Sequence, residues 1–69
     1  MSTLKPAILI KHPHKPALEL INEDGRHVAY FLHSYDVAEF HATMRGYEVV
    51  PLNSRVARTI LDKIHGEHV

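Results

Sequence analysis

Residues 17–46, ALELINEDGRHVAYFLHSYDVAEFHATMRG, decide the fold. The stretch opens as a strand, Ala17 to Asn22, in which Leu18 and Leu20 share one face and Glu19 and Ile21 the other. Asn22-Glu23-Asp24-Gly25 supplies a turn, with Gly25 at the position that needs a positive φ. A strand from Arg26 to His33 follows. Simple alternation sends Val28, Tyr30 and Leu32 one way and His27, Ala29, Phe31 and His33 the other. Both faces carry large apolar groups. That predicts a central strand, covered on both sides or covered by a helix on one side and a partner chain on the other. Ser34 then reads as the N-cap of a helix, with Asp36 and Glu39 placing acids in its first turn, where the macrodipole favours them. Val37, Phe40 and Met44 fall at i, i+3 and i+7, which predicts a stripe on the sheet with Phe40 in the main core. Arg45 closes the last turn and Gly46 is the C′ residue.

Working outward, Ala7–Lys11 is a short run of β-formers between Pro6 and Pro13. Proline cannot donate to a ladder, so an edge strand is expected. His12-Pro13-His14-Lys15-Pro16 is a stiff connector, since each proline pushes its predecessor out of the helical region. On the other side, Tyr47–Val50 reads as a strand ended by Pro51. Asn53 or Ser54 caps a last helix from Arg55 to His65, with Val56, Ala57, Ile60, Leu61 and Ile64 as its apolar stripe and Gly66 at its end. The order is β-β-β-α-β-α. The expectation is a single α+β domain over residues 1–69, with one antiparallel or mixed sheet packed by two helices.

Sixty-nine residues with 45% apolar content suit one globular unit. A chain of this length buries only about 60% of the surface it exposes when unfolded, so its core is marginal. The absence of cysteine removes disulfides and thiolate metal sites, which leaves oligomerisation as the economical source of extra stability. Eight basic residues balance eight acidic ones, which disfavours a dedicated nucleic-acid binder. The distribution is uneven, because Lys5, Lys11 and Lys15 all precede the first carboxylate, Glu19. Seven histidines make the net charge swing positive between about pH 7 and 5. The apolar run Ala7–Ile10 is far shorter than a signal segment or a membrane span, so a cytoplasmic protein without a membrane partner is expected.

The residues that could carry chemistry are few. His12 and His14 form an H-x-H pair, His27 and His33 share a strand, and His65 and His68 lie near the end. A zinc or nickel site needs three or four convergent ligands, and no HExxH or 2-His-carboxylate spacing occurs; solvated or partly buried histidines are the ordinary reading. Ser34, Asp36 and His33 or His41 supply the residue types of a triad. They crowd into one helical turn, whereas triads draw on distant segments, and capping already accounts for Ser34 and Asp36. No catalytic, cofactor or metal residue is assigned. Arg55 and Arg58 open the last helix, where cations oppose the macrodipole unless an anion lies nearby. Asp62, four residues after Arg58, offers an ordinary surface ion pair. With Lys11, His12, His14 and Lys15 these arginines make up the candidate partner-binding or nucleic-acid-binding set.

The segment ALELINEDGRHVAYFLHSYDVAEF resembles the middle of the Phd/YefM-type antitoxins, where a strand, a polar-Gly turn and a V-A-x-L strand lead into a capped helix. The matching positions are Gly25, Val28, Ala29 and Leu32. The resemblance covers about a third of the chain. It implies a dimer that binds operator DNA through its N-terminal part and a toxin through its C-terminal part. Those antitoxins begin with a helix where this chain has the Ala7–Lys11 strand, so no DNA-contacting residue carries over.

These readings converge on a small non-enzymatic regulatory or adaptor protein that binds itself and another protein. An antitoxin-like or transcriptional DNA-binding protein is the first alternative, and a small histidine-based metal-binding domain the second. No cofactor is expected.

Overall fold

The computed structural model describes residues 3–32 and 34–66. Its elements are β1 (Lys5–Lys11), β2 (Leu18–Asn22), β3 (His27–Phe31), α1 (Tyr35–Met44), β4 (Tyr47–Val49) and α2 (Arg55–Gly66), in the order read from the sequence. The strands form one mixed sheet, β3-β2-β1-β4, in which β1–β2 and β2–β3 are antiparallel and β1–β4 parallel. Strand alternation sends Ala7, Leu9 and Leu20 to one face, where they join Phe31 and α1's Ala38 and Ala42. Ile8 and Ile21 go to the other face and pack with Ala57 and Ile60 of α2. The fold is α+β, a sheet with one helix on each side.

The sharpest local signals form as read. At the β2–β3 turn, Asn22 Oδ1 accepts from the backbone N–H groups of Asp24 (2.9 Å) and Arg26 (3.0 Å). Gly25 adopts φ +81° there and donates its N–H to the Asn22 carbonyl. Lys63 Nζ donates to the Glu23 carbonyl at 3.1 Å, and a Cβ on Gly25 would lie 3.1 Å from Lys63 Cβ. Glycine is therefore needed both for the turn and for the approach of α2. Ser54 is the α2 N-cap, its Oγ accepting from the Ala57 N–H at 3.2 Å. Ser34 occupies the N-cap position of α1 with extended φ/ψ, but its hydroxyl makes no capping bond. Asp36 lies in the first turn of α1, while Glu39 falls beyond it.

Strand placement corrects the edge and centre assignments. β1 is central and β3 is an edge strand. Pro6 is accommodated because of where its nitrogen faces. Lys5 N–H donates to the Gly46 carbonyl and the Ala7 carbonyl accepts from Val50, both on the β4 side. Alternation then turns the Pro6 nitrogen toward β2, which has already ended at Asn22, opposite Ala7. Pro13 lies beyond the strand.

The face assignment along β3 is also corrected. A bulge lets Leu20 pair with Ala29 and Ile21 with His27, leaving Val28 as the extra residue. Val28 therefore packs with Ala29 and the Phe31 cluster under α1, while the rings of His27 and Tyr30 come together on the α2 side. His33, the last member of the expected pattern, lies outside the described residues, as does His68.

The largest correction concerns α1. Phe40 is 62% exposed, Met44 69% and Val37 40%, while Ala38 and Ala42 are fully buried. The stripe expected on the sheet faces solvent, and Phe40 is not a core residue. At 100° per residue the two stripes lie roughly 150° apart around the helix, so α1 can bury only one of them. Burying the alanines lets the helix backbone approach the sheet closely, with Arg45 (5.3 Å) and His41 (5.9 Å) lying over the Phe31 ring. α2 follows its expected stripe through Ala57, Ile60, Leu61 and Ile64, and only Val56 departs from it by lying exposed.

Candidate functional site

Two surfaces of the fold offer more than a solvated polar exterior. The first is the outer face of α1. Val37, Phe40 and Met44 run along it at helical spacing, and Tyr35 at the start of the helix is exposed as well. None is required to close the core, because the alanines beneath already seal the sheet. Burial, with the Glu39 carboxylate as a lesser cause, pushes the Tyr35 hydroxyl above the usual tyrosine range.

The second surface lies on the α2 side of the sheet. α2 packs over Ile8 and Ile21 and reaches the β2–β3 turn, while Tyr30 on the edge strand β3 stays open on that side. A run of rings occupies the open area. His27 lies 4.1 Å from Tyr30, Tyr30 lies 5.8 Å from His12, and His12 lies 6.2 Å from His14, centroid to centroid. His27 Nδ1 meets Glu19 Oε2 at 3.0 Å, so the one carboxylate among them already has a partner. The His14 backbone N–H donates to His12 Nδ1 at 3.1 Å and fixes the connector against that ring. Lys15, Ala17, Tyr30 and Leu32 line an adjoining concavity of about 380 Å³.

The six candidate residues do not share one face of the sheet. Strand alternation sends His12 to the Tyr30 side, while Lys11 turns to the α1 side and lines a different hollow with Tyr35. His14 and Lys15 stay near His12 and Tyr30 respectively. Arg55 and Arg58 are exposed on the first turns of α2, and among the described residues no hydrogen bond or ion pair joins them to the Lys11–Lys15 segment. Arg58 and Asp62 form no ion pair among the described residues; the pair that does form is His27–Glu19. Three His, Asp or Glu side chains do not converge as a metal site among the described residues. Ser34 and His41 are taken up by the start of α1 and by stacking on Phe31.

Sequence reading missed Tyr30, His27 and Glu19 as surface-forming residues. Periodicity separates His27 from Tyr30, and only the bulge reunites them. The repeated ring residues near a proline-rich connector were the available signal. No family model, curated protein or solved structure matches the chain. No helix among the described residues is long and apolar enough to cross a membrane.

Proposed function

We propose that this chain is a small non-enzymatic regulatory or adaptor protein that acts in the cytoplasm by binding protein, a second copy of itself included, through the outer face of α1. The observation that carries this reading is the exposure of Phe40 and Met44, with Val37 beside them, above a sheet that Ala38 and Ala42 already close. Aromatic residues and methionine are enriched at the buried centres of protein interfaces. Covering a Phe or Met side chain is worth about 1.5–3 kcal/mol. In a two-fold pair each copy contributes the same stripe, so the gain is doubled without a second surface. The chain has reason to use it: 69 residues with no disulfide leave a thin stability margin.

Light scattering across the micromolar range tests the reading. A mass of at least twice 7.9 kDa that falls on dilution is expected. A mass of 7.9 kDa at every concentration, together with unfolding that does not depend on concentration, would contradict it.

A further inference from the structure

We propose that the ring row at the open edge of the sheet, His27–Tyr30–His12, with Lys15 beside it, binds a nucleotide unit by stacking the base on Tyr30 and pairing the phosphate with Lys15. This goes beyond the protein-binding reading and uses the opposite side of the sheet from α1. The geometry supplies both halves of the recognition. Tyr30 is 55% exposed although it sits in the sheet, flanked by imidazoles at 4.1 and 5.8 Å. A flat, exposed ring on a rigid strand offers a preformed face for a base, and base–aromatic stacking tolerates any base because each has a π-face. Lys15 lines the concavity beside Tyr30 and carries the local positive charge. Glu19, the cross-strand partner of Tyr30, is engaged by His27 Nδ1 at 3.0 Å, so Lys15 on the other side of Tyr30 is the group that must meet the phosphate. The neutral total charge is no obstacle, because a single nucleotide needs only local charge, which Lys15 supplies beside Tyr30.

The chemistry is shared by a free mononucleotide and by a single strand of nucleic acid. Two probes separate them: a labelled oligodeoxythymidine of about 12 nucleotides, within the span such surfaces engage, and thymidine monophosphate. Binding is expected for at least one probe. Tyr30→Leu, which keeps apolar bulk and removes the ring, should weaken it by roughly tenfold or more, while Tyr30→Phe should bind like the unmodified chain. Lys15→Gln should weaken binding and flatten its salt dependence. An oligonucleotide that binds far more tightly than the monophosphate assigns the site to single strands; equal affinities assign it to the free nucleotide. The proposal is overturned if neither probe binds at millimolar concentration. It is also overturned if Tyr30→Leu binds like the unmodified chain, or if a hairpin duplex binds as tightly as the strand, since paired bases offer no free faces. NMR titration of the unmodified chain gives a readout that requires no variant to fold. Shifts should centre on Tyr30, His12 and Lys15, and shifts confined to other residues would overturn the assignment.

Discussion

The two helices solve the same problem with opposite residues. α2 lays Ile60, Ile64 and Leu61 on the sheet and keeps a polar back. α1 lays Ala38 and Ala42 on the sheet and turns Val37, Phe40 and Met44 outward. Both carry bulky apolar residues at helical spacing, yet only in α2 does the bulkier stripe mark the core. A helix with one apolar stripe has one way to pack. A helix with two has a choice, and here the smaller stripe wins because it brings the backbone close to a sheet already filled by Leu9, Leu20 and Phe31. The outward stripe then becomes surface that the fold does not use.

Substitutions can break or sharpen this contrast. The largest effect is expected at Ile60, which is fully buried between α2 and the sheet. Ile60→Ala should cost about 2–5 kcal/mol in urea unfolding, a large part of the about 5–15 kcal/mol typical of a domain. A loss below about 1 kcal/mol would mean that α2 does not hold its side of the core. On the α1 side the sign of the volume change reverses. Ala42→Leu should destabilise by about 1–3 kcal/mol, because added bulk has no room between helix and sheet. A neutral or stabilising result would show a loose contact and undo the reason given for burying the alanines.

The two positive-φ glycines sharpen the comparison further, since one touches α2 and the other ends α1. Gly46→Ala should cost about 1 kcal/mol, the conformational penalty alone, because a Cβ there meets nothing within 4 Å. Gly25→Ala should cost more, about 2 kcal/mol, because its Cβ would also press on Lys63. Equal losses, measured by thermal unfolding, would remove the claim that α2 packs against the turn.

How much of this was legible in the sequence follows the same division. Local chemistry was readable: Gly25 and Gly46 adopt positive φ, Ser54 caps α2, and the six elements come in the expected order. Choices settled by tertiary packing were not. Pro6 suggested an edge, but its missing N–H costs nothing where β2 has already ended. The bulge at Leu20/Ile21 shifted the period of β3, so Val28 and His27 changed faces, and no residue type announced it. The alanines of α1 were overlooked because hydrophobicity scales weight Phe and Met above Ala, whereas packing also weighs distance. The candidate set Lys11, His12, His14, Lys15, Arg55 and Arg58 was assembled on charge, and strand alternation puts Lys11 and His12 on opposite faces of the sheet, which charge alone does not announce.

The smallest expected effect on folding is also the most direct test, because it asks whether the outer stripe of α1 is interface rather than core. Phe40→Lys introduces a stronger helix former and sets a favourable i to i+4 pair with Asp36, so α1 itself should not suffer. Sedimentation and urea unfolding are measured on both proteins, with unfolding followed at dilutions where each is monomeric. The account predicts that the variant sediments as a monomer where the unmodified chain self-associates, with unfolding free energies that agree within about 0.5 kcal/mol. A variant that loses about 3 kcal/mol or more would place Phe40 in the core, and one that associates like the unmodified chain would remove α1 from the interface.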